Sequence, residues 1–119
     1  MGSLARLLRS RWAGTALVLV GLFPRGVAPT NPLREKVRRV NLGLRSLVAR
    51  EGSERLVYLD ASALMPLLPD GSLDRAWTVD YVHLTSEMYD RYGKALLTTL
   101  RSFIPPLAAT AGAARIARW

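Results

Sequence analysis

Asp80 and His83 are the residues of this chain best suited to chemistry. His83 is the one histidine among 119 residues, and it stands three positions after a carboxylate, just before a long helical pattern. In a loop that enters a helix, this spacing lets the carboxylate turn back onto the imidazole. One ring nitrogen is then bound and the other is left free for a serine hydroxyl, as the base half of a hydrolytic triad requires. The same spacing also fits an ordinary polar pair beside a helix start, and on spacing alone both readings stand. Asp60 is a second carboxylate of interest, at the end of an apolar run where α/β folds place their chemistry. For Asp60 the preferred reading is a cap on the turn that follows.

Composition narrows the chemistry. There is no cysteine. That excludes disulfides, cysteine metal sites and a thiol nucleophile, and fits a reducing compartment. One histidine and scattered carboxylates argue against a dedicated zinc site, so no metal or cofactor is expected. The net charge is +8, from 17 Lys+Arg against 9 Asp+Glu. No acidic residue precedes Glu35, whereas Arg6, Arg9, Arg11, Arg25 and Arg34 do. Such an excess can draw nucleic acid or an anionic membrane. No aromatic-basic interleaving or nucleic-acid motif accompanies it, so a solvated arginine-rich surface is preferred and no nucleic-acid partner is expected.

The elements that must position Asp80 and His83 follow from the apolar pattern. The length suits one small domain. Residues 1–12 have amphipathic helix spacing, with Leu4, Leu7 and Leu8 on one face, and Gly14 ends the pattern. The run Ala16 to Phe23 is too short to span a bilayer and reads as a strand buried on both faces. A basic start before a short apolar run also matches a signal peptide or mitochondrial presequence, although Pro24 and Arg25 make a poor cleavage region. Pro24 to Pro32 is a loop. Leu33 to Ala49 is a helix, with Leu33, Val37, Val40, Leu44 and Leu47 along one face. Leu56 to Asp60 is a second strand. Strand, helix and strand in this order imply a parallel pair joined by a crossover. Ala61 to Leu68 suggests a helical turn, and Pro69-Asp70-Gly71-Ser72 a tight turn. Thr85 or Ser86 caps a helix running to about Phe103, with Tyr89, Tyr92, Leu96, Leu100 and Phe103 as its buried stripe. Residues 1–104 are expected to form the domain, and 105–119 a flexible basic tail.

Two blocks carry a resemblance. Gly21-Leu22-Phe23-Pro24-Arg25-Gly26, with Asn31-Pro32-Leu33-Arg34-Glu35-Lys36 and Val40-Asn41, resembles the middle of the catalytic subunits of type Ib platelet-activating factor acetylhydrolase. Asp80-Tyr81-Val82-His83-Leu84-Thr85, followed by Tyr89, resembles the last block of the same family, which belongs to the wider SGNH (GDSL-type) hydrolases. The likeness runs from about Ala16 to Leu100, with both blocks in the family's order.

The resemblance implies an α/β fold: the C-terminal part of a flavodoxin-like three-layer sandwich with a parallel sheet of about five strands. It implies ester hydrolysis through an acyl-serine, removing the sn-2 acetyl group of an ether phospholipid. It makes Asp80 the triad acid and His83 the triad base. It implies a homo- or heterodimer of catalytic subunits, a WD-repeat regulatory partner and a cytoplasmic location. The family places its serine in a Gly-Asp-Ser block near the domain start, and completes the oxyanion hole with a glycine and an asparagine from two later blocks. None of these blocks occurs in the chain. Losing one oxyanion donor alone lowers kcat by about 10²–10³-fold. The chain by itself is therefore expected to be inactive, as a fragment or truncated product of a longer esterase. The alternative is a non-catalytic isoform that keeps a surface for a partner subunit. A third reading, a basic organelle-targeted or nucleic-acid-associated protein, rests on charge alone.

Overall fold

A computed structural model of the chain describes residues 2–11 and 14–103. The expected tail at 105–119 lies outside the described residues. Helix α1 covers Gly2–Arg11, strand β1 Leu17–Val20, helix α2 Pro32–Glu51, strand β2 Leu56–Leu59 and helix α3 Ser86–Arg101. A single 3₁₀ turn, Ala61–Leu64, follows β2.

The two strands pair in parallel, in the register Leu17 with Leu56 through Val20 with Leu59. Parallel neighbours need a long crossover, and α2 supplies it. This bears out the expected α/β class. Strand β1 is shorter than expected, four residues instead of eight, and each of them is half-buried, not buried on both faces. The reason is the size of the sheet. With two strands in it among the described residues, β1 has a described neighbour on one edge alone.

Helix α2 begins where its sequence says it should. Asn31 accepts a hydrogen bond from Leu33 N at 2.9 Å, and Pro32 takes the first turn, where its missing N–H is no loss. Gly52 closes the helix in the left-handed region, at φ 57°. Leu44 and Leu47 are buried, and α2 packs on β2. The stripe expected from Leu33 to Leu47 is only partly buried, since Leu33 and Val40 are both 45% exposed. Helical spacing gives those residues a common face, and no layer of the described chain covers its far end.

Helix α3 departs from expectation in the same way. Tyr89 and Leu100 are exposed, whereas Met88 is completely buried. Met88 joins Met65 and Leu73 in an apolar cluster, with Phe23, Trp77, Tyr81 and Leu84 packed around it. This cluster lies beneath the segment that carries Asp80 and His83.

Candidate active site

The segment 76–85 is a closed loop leading into α3. Thr78 and Leu84 form an antiparallel bridge. Val79 N donates to His83 O at 2.8 Å, and Thr85 N donates to Trp77 O at 3.0 Å. The Thr85 hydroxyl donates to Ala76 O at 2.9 Å and accepts from Met88 N at 3.3 Å, so one side chain closes the loop and caps α3.

Asp80 organises the turn inside that loop. Its Oδ1 accepts from Val82 N at 3.0 Å and from His83 N at 2.8 Å. These bonds are the side chain imitating a backbone turn, a habit of aspartate. Its other oxygen, Oδ2, lies 2.7 Å from His83 Nδ1. The backbone N–H of His83 first, and then its ring, lower the Asp80 pKa from 3.8 to about 2. An ionised carboxylate only accepts, so Nδ1 carries a proton, and in the neutral ring Nε2 is left with its lone pair. The His83 side chain is 75% exposed. Among the described residues no serine hydroxyl is hydrogen-bonded to it.

Tyr81 sits between the two and has φ 63°, the one positive φ among the described non-glycine residues. Left-handed backbone at a tyrosine costs about 1–2 kcal/mol. The ring packs against the Met65–Leu73–Met88 cluster, which offsets that strain. The turn thereby leaves Asp80 and His83 at the surface while the half-buried Tyr81 ring packs against the apolar cluster.

A cleft of about 600 Å³ lies against the same loop, with neither Asp80 nor His83 on its wall. Leu22 and Phe23, just beyond β1, form one part of its wall, and Thr78, Val82 and Leu84 of the loop form another. It is mainly apolar and lies at the carboxyl end of β1, where α/β folds place ligands. A smaller cleft of about 380 Å³, with Arg38, Arg45, Tyr58 and Asp60 on its wall, includes no residue of the 76–85 loop.

The remaining expectations resolve by geometry. Asp60 caps the 3₁₀ turn through Ala63 N and pairs with Arg45 at 2.7 Å, as the capping reading required. It makes no contact with His83 among the described residues. Residue reading alone had missed Asn41 and Arg34. The Asn41 amide accepts from Leu22 N at 2.7 Å and donates to Leu22 O at 3.0 Å, clamping the chain where β1 meets the cleft. Arg34 donates to the carbonyls of Gly26, Val27 and Gly71, tying two loops together. Both residues stand inside the upstream block that carried the resemblance. Their place there was the available signal.

Comparison with known proteins supports the resemblance. Platelet-activating factor acetylhydrolase IB subunit alpha1 of Bos taurus is 37% identical over 98 residues, covering 82% of this chain and 40% of the relative. The alpha1 subunit of Rattus norvegicus is 39% identical over 84 residues, 71% of this chain and 34% of the relative. The alpha2 subunit of Gallus gallus is 30% identical over 94 residues, 79% of this chain and 39% of the relative. The chain thus spans about two fifths of the length of the curated relatives it matches. No family model matches it. The likeness read from the two sequence blocks is borne out by these relatives.

Proposed function

We propose that this chain carries the acid–base part of a serine-type carboxylic ester hydrolase of the type Ib acetylhydrolase kind. The observation that carries the reading is the 2.7 Å contact from Asp80 Oδ2 to His83 Nδ1. Asp80 fixes the tautomer, so that His83 Nε2 is the base. Nε2 takes the proton of a serine hydroxyl as its oxygen attacks the ester carbonyl. It then returns the proton to the leaving alcohol, and repeats both transfers with water to release the acid. The apolar cleft beside the loop suits the hydrocarbon part of an ester. By analogy with the relatives' name, the ester is the acetyl ester of platelet-activating factor.

The serine comes from a Gly-Asp-Ser block of the family type, which these residues do not contain. Without it, and without oxyanion donors, the chain alone has no turnover. Strands β1 and β2 represent two of the roughly five parallel strands of a flavodoxin-like SGNH sandwich. Pairing with another catalytic subunit, and association with a WD-repeat partner, follow from the same family reading.

The test is a graft. The matched 98 residues of this chain replace their counterpart in the bovine alpha1 subunit, and hydrolysis of p-nitrophenyl acetate is measured. The graft is expected to turn over, with kcat falling about 10²–10⁴-fold in His83→Ala, the range of one positioned acid–base group. A folded graft whose activity is indifferent to His83→Ala sinks the proposal.

A further inference from the structure

Helix α1 plays no part in the proposed site, and its surface is unusual for a short helix at the outside of a domain. Leu4, Leu7 and Leu8 follow i, i+3, i+4 spacing and so share one face. Leu4 is 53% exposed and Leu7 52% exposed. Such leucines are normally turned against a core. Arg6 lies across the helix from them and is exposed, and Arg11 is exposed at the C-terminal end. The first turn of α1 has no acidic residue, and no acidic residue occurs in the chain before Glu35. In the sequence, Trp12 continues the spacing from Leu4 and Leu8.

We infer that α1 is an interfacial helix that lies on an anionic phospholipid surface, leucine face down. The charge pattern selects this occupant. A protein groove would satisfy the leucines equally well, but gives no reason for a helix and flanking segment free of acid. An anionic bilayer accounts for both, because its headgroups draw the arginines while the acyl boundary takes the leucines. Arg11, four residues after Leu7 and three after Leu8, lies on the leucine face itself at the last position of the helix, and there its long stem can carry the guanidinium up to headgroup level. The helix does not cross the bilayer: ten residues at about 1.5 Å each are too short.

The test is co-sedimentation of the full chain with extruded vesicles, one set phosphatidylcholine alone and the other phosphatidylcholine with 30–40% phosphatidylglycerol, roughly the range in which surface charge acts. The inference predicts binding to the anionic set, weakening steeply between low and roughly 0.5 M salt as charges are screened. It predicts at least a roughly tenfold loss in Leu4→Ser/Leu7→Ser, as removal of two buried apolar side chains requires. Circular dichroism of that variant should match wild type, since α1 contributes little to the core. Equal binding to both vesicle sets, no binding, or binding unchanged in the leucine variant overturns the inference. So does a concentration-dependent dimer that disappears in the leucine variant, which would make a second copy the occupant.

Discussion

Asp80 does two jobs with two oxygens, and the consequence is measurable. Oδ1 holds the turn through Val82 N and His83 N, and Oδ2 holds the imidazole. These bonds favour the charged form, which is why its pKa falls to about 2. A depressed carboxylate pKa contributes stability that is present above the unfolded value of 3.8 and is lost as pH falls through about 2. An NMR titration of the Asp80 carboxyl carbon should therefore give a midpoint near the lower value, and Asp80→Asn should abolish that window. A midpoint in the ordinary carboxylate range would mean the turn is not formed in solution. Tyr81 provides a second check. Tyr81→Ala keeps the strained φ and loses the ring, whereas Tyr81→Gly loses the ring but is free of strain. The glycine variant should be the more stable of the two by about 1 kcal/mol in urea denaturation. Equal stability would remove strain from the account. The pair itself was legible in the sequence because its members are three residues apart and aspartate makes such turns locally. The φ of Tyr81 was not, since a tyrosine gives no sign of left-handed backbone.

At the scale of elements, the end of β1 depends on what α2 and β2 press against it. Asn41 clamps Leu22 from α2. Tyr58 of β2 lays its buried hydroxyl over Gly21, and among the described residues that hydroxyl has no hydrogen-bond partner. A Cβ at position 21 would fall on the hydroxyl oxygen. Gly21→Ala should therefore destabilise by about 1–3 kcal/mol, the usual penalty of overpacking. Tyr58→Phe should be close to neutral alone, because it removes an unpaired polar atom, and should recover most of the Gly21→Ala loss. Thermal unfolding of the two single variants and the double variant decides it, and simple additivity would contradict this packing. Caps and breakers were the readable part here. Asn31, Pro32, Gly52 and Thr85 act where their types indicate. Gly21 read only as the end of an apolar run, because its need for a hydrogen side chain is set by Tyr58, 37 positions away.

At the scale of the molecule, the order strand, helix, strand and the parallel pairing were legible from apolar runs and breakers. Which faces are covered was not. Leu33, Val40, Tyr89 and Leu100 obey helical spacing yet stand exposed, because periodicity identifies a face without saying what lies against it. Among the described residues, no helix is long and apolar enough to cross a membrane. The buried cluster of Met65, Leu73 and Met88 supports the 76–85 loop directly, so the Asp80–His83 pair has its own footing. Its proposed use as an acid–base pair depends on a serine brought from outside these residues, and the most direct measurement supplies one. In the graft of this chain into the bovine alpha1 subunit, the serine should be labelled by a fluorophosphonate, a reagent that reacts with an activated hydroxyl. The account predicts rapid labelling, slowed by about 10²-fold or more in His83→Ala. Labelling of a folded graft at the same rate with and without His83 would contradict the claim that His83, oriented by Asp80, is the base of a serine esterase.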